Sequence, residues 1–138
     1  MSHYRRNYLA GGTFFFTVKL ANSKSCLLVE QIDLLREAYA FVQQRYAFET
    51  VAVCVLPNHI HAVWALPDGD DDYSLRWRLL KTKFSDAFES LENISASKKR
   101  RREKGIWQRR FYEHTVCDDA DLRRCVDYVY FNPVKHGL

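Results

Sequence analysis

Two apolar runs, Val51-Ala52-Val53-Cys54-Val55-Leu56 and Ile60-His61-Ala62-Val63-Trp64-Ala65-Leu66, are separated by little more than Pro57-Asn58. A break that short cannot hold a crossover connection, so residues 48–56 and 59–66 are predicted to pair as an antiparallel hairpin. The first run is apolar at every position, which reads as a central strand. The second alternates, with Ile60, Ala62, Trp64 and Leu66 on one face and His59, His61, Val63 and Ala65 on the other. Two imidazoles thereby project side by side, either as a pair of metal ligands or as polar residues on a solvated face. Because Val63 and Ala65 make the histidine face partly apolar, another element is expected to cover its far end.

The remaining chain supplies partners for this hairpin. After Gly11-Gly12, residues 13–20 alternate Phe14, Phe16, Val18 and Leu20 against Phe15, Thr17 and Lys19, the period of a strand. Ile32, Leu35, Tyr39, Val42 and Tyr46 recur at helical steps and predict a helix over 30–46, as Trp77, Leu80, Phe84, Phe88 and Leu91 do over 73–91. A last strand is predicted within 109–116. Asp118-Asp119 then offers an N-cap for a helix running to about 131, where Asn132-Pro133 is expected to end it. Strand, helix, strand, strand, helix, strand is the ferredoxin-like order. The expected fold is therefore α+β: an antiparallel sheet with two crossover helices on one face and an additional C-terminal helix, carrying Tyr128, on the other.

Size and charge narrow the class. The 138 residues fit one domain with a real core, and 21 Lys and Arg against 17 Asp and Glu leave a formal charge of +4. That excess is clustered at Tyr4-Arg5-Arg6, at 98–104 and at Arg109-Arg110, while Asp68, Asp70, Asp71 and Asp72 form one acidic turn. Cys26, Cys54, Cys117 and Cys125 make no C-x-x-C pair, so reduced thiols are expected. With Arg5 and Arg6 where a signal peptide needs an apolar core, and no run long enough to span a bilayer, a cytoplasmic protein without a membrane partner is expected.

A histidine pair needs at least one more protein ligand to make a catalytic metal site. Tyr128 and Asn132, four residues apart, are neighbours on one helical face. At about 100° per residue, Tyr128 lies at the edge of the stripe formed by Leu122, Cys125, Val126 and Val129, where its hydroxyl is expected to be accessible. Tyr130 faces a different side, so at most one of the two tyrosines belongs with the histidines. Asn132-Pro133 reads as a helix terminus, as a ligand position, or as both.

Pro57-Asn58-His59-Ile60-His61 resembles the histidine-hydrophobe-histidine (HUH) motif of single-tyrosine DNA transposases. Trp107-Gln108-Arg109-Arg110-Phe111-Tyr112-Glu113-His114, the later Asp127-Tyr128-Val129-Tyr130-Phe131-Asn132-Pro133 and the opening Tyr4-Arg5-Arg6 resemble the REP-associated tyrosine transposases of that superfamily. The resemblance implies a metal-dependent endonuclease and strand transferase acting on single-stranded, hairpin-forming repeats (REP elements) through a 5′-phosphotyrosine intermediate. It implies His59, His61 and Asn132 as metal ligands, Tyr128 as nucleophile, and Mg2+ or Mn2+ as cofactor. It further implies a monomer, with a homodimer that exchanges tyrosine helices as the alternative, and a C-terminal tail beyond the point where this chain stops, at Leu138.

For strand binding, Arg5, Arg6, Arg76, Arg78, Lys81, Lys83, Arg109 and Arg110 could neutralise phosphates. Trp107 joins them as a binding candidate, and Tyr4, Trp77 and Tyr112 could stack on bases, although the period of Trp64 and Trp77 favours the core. The basic run at 98–104 reads equally as a solvated loop. His114 and His136 receive no ligand role. The rival function is a non-catalytic module that holds single-stranded nucleic acid on a ferredoxin-like sheet without cutting it.

Overall fold

A computed structural model describes residues 12–92 and 105–135. Tyr4, Arg5, Arg6, the basic run at 98–104 and His136 lie outside them. The described elements are β1 (Thr13–Lys19), α1 (Leu27–Glu30), α2 (Ile32–Arg45), β2 (Glu49–Leu56), β3 (His59–Ala65), α3 (Tyr73–Glu92), β4 (Tyr112–Thr115) and α4 (Asp119–Lys135). The strands form one antiparallel sheet in the order β2-β3-β1-β4, as the ferredoxin-like reading requires.

Alternation along the strands divides the protein into two layers. Phe14, Phe16 and Val18 of β1 and Ile60, Ala62 and Trp64 of β3 pack with Leu35, Ala38 and Val42 of α2 and Trp77, Leu80 and Phe84 of α3. Trp64 is stacked between Phe48, at 4.0 Å, and Trp77, at 4.3 Å, and its indole N–H donates to the Tyr39 hydroxyl at 2.9 Å. Each such aromatic contributes roughly 1.5–3 kcal/mol by leaving water, which makes this face the anchor of the fold. The opposite face gathers Phe15, Ala52 and Val63 under Cys125 and Val129 of α4.

Two expectations need correction. β2 is an edge strand rather than a central one. Its apolar run reflects layers above and below the sheet: Val55 packs toward the helical core and Ala52 toward α4, while Val53 remains 39% exposed. A bulge between Thr50 and Ala52 lets both Val51 and Ala52 contribute to the α4 cluster. Second, α4 does not stop at Asn132-Pro133 but continues to Lys135. A proline forfeits one helical hydrogen bond, which a helix already held by packing can absorb. Asn132 is consequently a helix-interior residue, not a cap.

The helix starts follow the expected chemistry. Asp118 Oδ1 accepts the Asp121 N–H at 2.8 Å at the start of α4, and Asp72 Oδ1 accepts the Leu75 N–H at 3.1 Å at the start of α3. Gly69, at φ 81°, makes the turn closed by the Asp70 N–H to the Pro67 carbonyl, a geometry that favours glycine.

Candidate active site

Strand register builds the site. On the α4 face, β3 sets His61 between Cys54 of β2 and Thr17 of β1, and Thr17 in turn pairs with Tyr112 of β4. One step along, His59 pairs with Lys19; one step the other way, Phe15 pairs with His114. Two side chains on a strand share a face only every second residue, so His59 and His61 stand together, with ring centroids 4.7 Å apart and planes at 85°.

Each imidazole is oriented through Nδ1. His59 Nδ1 lies 2.6 Å from Asn58 Oδ1, and His61 Nδ1 lies 2.9 Å from Thr17 Oγ1. A proton on Nδ1 held by an oxygen leaves the lone pair on Nε2, the arrangement by which an oxygen partner orients a metal-ligating histidine. His61 is buried and its ring stacks on Phe15 at 5.8 Å.

Helix α4 delivers Tyr128 to the same place. Its ring stands edge-on to His61 at 5.1 Å and edge-on to Phe15 at 5.7 Å, and the residue is 44% exposed. Tyr130, 61% exposed, lies two residues on along the helix, and among the described residues the tyrosine packed on the histidines is Tyr128. One turn beyond Tyr128, Asn132 is 1% exposed, and neither its amide nitrogen nor its carbonyl oxygen has a hydrogen-bond partner among the described residues. A buried amide left in that state costs about 1–3 kcal/mol unless a ligand engages it. By donor type, two imidazoles and an amide oxygen with no hydrogen-bond partner among the described residues suit a divalent cation.

A second polar cluster lies beside the first. His114 Nε2 is 2.8 and 3.0 Å from the two Asp121 oxygens, which also accept the Cys117 N–H at 2.8 Å and the Cys125 thiol at 3.8 Å. Burial alone would raise the Asp121 carboxyl, but the Cys117 N–H and His114 outweigh it and hold the group below the usual carboxylate range. Burial and the Asp121 carboxylate push the Cys125 thiol up to about 11. Ligand atoms of His114, Asp121 and Cys125 lie within 4.8 Å of one another, close enough to share a cation. The three side chains form one hydrogen-bonded network. The strand period could have put His114 on this face, but its partner Asp121 reads in sequence only as a first-turn acid.

The binding candidates separate by position. Arg76 is corrected from phosphate contact to internal clamp: it is 1% exposed, and its guanidinium donates to the carbonyls of Tyr46, Ala47 and Asp72 and to both oxygens of Asp70. This also gives the acidic turn a structural role, and hydrogen bonds from Arg76 lower the Asp70 carboxyl. Trp107 is half-buried: it abuts the helical core, meets Phe84 edge-on and donates its N–H to Ser85 Oγ at 3.1 Å. Trp77 is fully buried. Lys81 donates to the Gln108 carbonyl at 3.1 Å, and burial lowers its ammonium below the usual lysine range. Arg78 and Lys83 are exposed on α3, in the layer opposite the histidines, with Lys83 over the Phe41 ring at 4.3 Å. Arg109 and Arg110 are exposed just before β4.

Helix α4 packs along β2 and, to a lesser extent, β3, and reaches β1 at Phe15 and β4 at His114, beyond which Lys19 and Tyr112 are exposed. There a cavity of about 570 Å³ runs from Tyr128 past Thr17 and Lys19 to Tyr112, His114 and Arg124. No described helix is long and apolar enough to cross a membrane.

No family model matches the chain. A Haemophilus influenzae protein described as a putative REP-associated tyrosine transposase is 45% identical over 138 residues, covering 99% of this chain and 78% of the relative. An Escherichia coli K12 REP-associated tyrosine transposase is 48% identical over 137 residues, covering 99% and 75%. The solved structure of a REP-associated tyrosine transposase bound to a REP hairpin matches with a TM-score of 0.84 at 47% identity, over 99% of this chain and 75% of that one. A putative transposase from Deinococcus radiodurans shares the fold, with a TM-score of 0.58 at 16% identity over 92% and 96% of the two chains.

Proposed function

The chain belongs to the REP-associated tyrosine transposases, and from that premise we propose that it nicks and rejoins single-stranded DNA at REP hairpins, with Tyr128 as nucleophile and His59, His61 and Asn132 as ligands of Mg2+ or Mn2+. The observation that carries the reading is the meeting of Tyr128 with His61 at 5.1 Å, from elements far apart in sequence. The hairpin-bound relative supports the choice of substrate.

A divalent cation held by His59, His61 and Asn132 would polarise the scissile phosphate and favour phenolate over phenol. Tyr128 then acts as nucleophile. Its phenolic oxygen, after losing a proton to solvent, bonds to phosphorus as the bond from phosphorus to the 3′ oxygen breaks. The bonding pair leaves on that 3′ oxygen, which takes up a proton, and the 5′ phosphate stays esterified to Tyr128. The ester conserves the phosphodiester energy, so a later 3′ hydroxyl reseals the strand by the reverse exchange and no nucleotide triphosphate is consumed. Thr17 and Asn58 keep the two imidazoles in the ligating orientation, and Phe15 buttresses the Tyr128 ring.

The test is direct. Protein incubated with hairpin-tailed DNA and Mg2+ or Mn2+, then denatured in detergent, is expected to carry a covalent DNA adduct that Tyr128→Phe abolishes and Tyr130→Phe retains. Tight hairpin binding with no adduct under either metal would replace the enzyme by a binding module.

A further inference from the structure

The exposed part of the α4 face has a chemistry that strand cleavage alone does not explain. Among the described residues lining the cavity are two permanent cations, Lys19 and Arg124, and no carboxylate. Arg124 is 72% exposed at its side chain and pairs with Asp121 only at the long distance of 3.7 Å, because the Asp121 carboxylate is held more closely by His114 and the Cys117 N–H, so the guanidinium keeps most of its donors for a ligand. At the far wall Tyr112 is 60% exposed and is held edge-on to Phe15 at 6.1 Å. A large aromatic presented to solvent, propped from below and flanked by cations is the composition that holds unpaired nucleotides, with a ring for the base and positive charge for the backbone. The volume falls within the range of roughly 300–1,000 Å³ of ligand sites. Register adds a distance: Tyr112 and His61 are two strands apart in one row, hence about 10 Å at about 4.8 Å per strand.

We propose that this shelf is a subsite for one unpaired nucleotide flanking the scissile phosphate, with Tyr112 stacking on its base and Lys19 and Arg124 holding its phosphate. His114, clamped by Asp121, forms the rigid wall between Tyr112 and α4. The proposal rests on the single-strand reading above and adds the residues that position the flank. Because a base is met by a π face, the subsite tolerates any base but requires one to be present.

The experiment is a binding cycle in the full chain carrying Tyr128→Phe, so that no adduct forms. Hairpin DNA with single-stranded flanks is scanned with an abasic nucleotide at each flank position, and its affinity is measured with and without Tyr112→Ala. The expected result is one position where the missing base weakens binding about tenfold and costs nothing further in the Tyr112→Ala variant, with Tyr112→Trp restoring the penalty. A methylphosphonate scan is expected to find one phosphate whose neutralisation matters only while Lys19 and Arg124 are present, the comparison being Lys19→Gln with Arg124→Gln. Equal abasic penalties with and without Tyr112→Ala overturn the proposal, as does a chain that gains no affinity from any flank. The two readings fail separately. Native chain that forms no adduct with either metal removes the nuclease while the cycle still decides the subsite, and an adduct with a flat cycle removes the subsite alone.

Discussion

The two faces of the sheet are built from the same strands and have opposite characters. Toward α2 and α3, β1 and β3 send Phe14, Phe16, Val18, Ile60, Ala62 and Trp64 into a dry aromatic core. Toward α4 they send Phe15, Thr17, Lys19, His59, His61 and Val63, and α4 covers only part of that surface. A period of two lets a single residue step separate what holds the protein together from what lines the candidate site. One face carries the stability, so the other can tolerate a half-exposed tyrosine, a buried amide with no hydrogen-bond partner among the described residues and an open cavity.

The sharpest way to break this division is to truncate one aromatic on each side. Trp64→Ala is expected to lose about 3–5 kcal/mol, read as a fall in the urea midpoint. Tyr128→Phe is expected to stay within about 0.5 kcal/mol of the parent while losing the covalent adduct completely. If Tyr128→Phe unfolded the chain as Trp64→Ala does, the faces would not be separable.

Arg76 is the next test, because sequence and structure assign it to opposite sides of the comparison. Arg76→Met would leave the Tyr46, Ala47 and Asp72 carbonyls without their donor, at about 1–3 kcal/mol for each that stays buried, so it is expected to destabilise strongly in chemical denaturation. The folded fraction should bind hairpin DNA with unchanged affinity. A variant of native stability with weakened binding would return Arg76 to the DNA.

The difference between Arg76 and His61 explains how much could be read from the sequence. The faces of β1 and β3, the helix over 73–91, the ferredoxin-like order and the shared face of Tyr128 and Asn132 all follow from local periodicity, which adjacent residues carry in full. Arg76 lies on a helix flank where arginine reads as surface. Its carbonyl partners at Tyr46 and Ala47 are 30 and 29 residues upstream. The Ser85 partner of the Trp107 N–H was hidden in the same way, 22 residues away. The edge position of β2 was hidden by the layers on both of its faces, because burial from above and below writes the same apolar run as neighbours on either side. Pro133 is a strong local stop signal that α4 overrides through packing.

Within the functional face, Thr17 separates orientation from ligation. Thr17→Val keeps the shape but removes the oxygen at His61 Nδ1. Losing such an orienting partner typically costs 10–100-fold in metal affinity or activity, so Mn2+ affinity by calorimetry and the adduct rate should fall together by about that factor. Stability should fall by about 1–3 kcal/mol, the cost of leaving a buried ring nitrogen without its partner. An unchanged Mn2+ affinity would detach His61 from the cation.

Asn132 offers a smaller effect with an informative sign. Replacing a buried polar group that lacks a partner by an apolar one of similar shape is nearly neutral or stabilising, so metal-free Asn132→Leu is expected to melt no lower than the parent. The rise in melting temperature that Mn2+ gives the parent should shrink in the variant. A large loss of stability without metal would mean that the amide serves the fold.

The slightest expected effect is acid sensitivity, to which each layer contributes one carboxylate. Asp70 is held down chiefly by the hydrogen bonds of Arg76; Asp121, against its own burial, is held down by the Cys117 N–H and His114. A carboxyl lowered in the folded state binds fewer protons there than in the unfolded chain, so its stabilisation is fully present above the unfolded value of about 3.9 and drains away as the pH falls through the folded value. Stability measured by urea titration from roughly pH 6 to pH 3 should therefore decline, and either Asp70→Asn or Asp121→Asn should make the decline shallower while lowering the plateau near neutrality. Since Asp70 clamps the α3 layer and Asp121 braces the wall of the cavity, only Asp121→Asn should also change hairpin binding. A loss of binding in Asp70→Asn at full foldedness would show that the two faces communicate through the sheet.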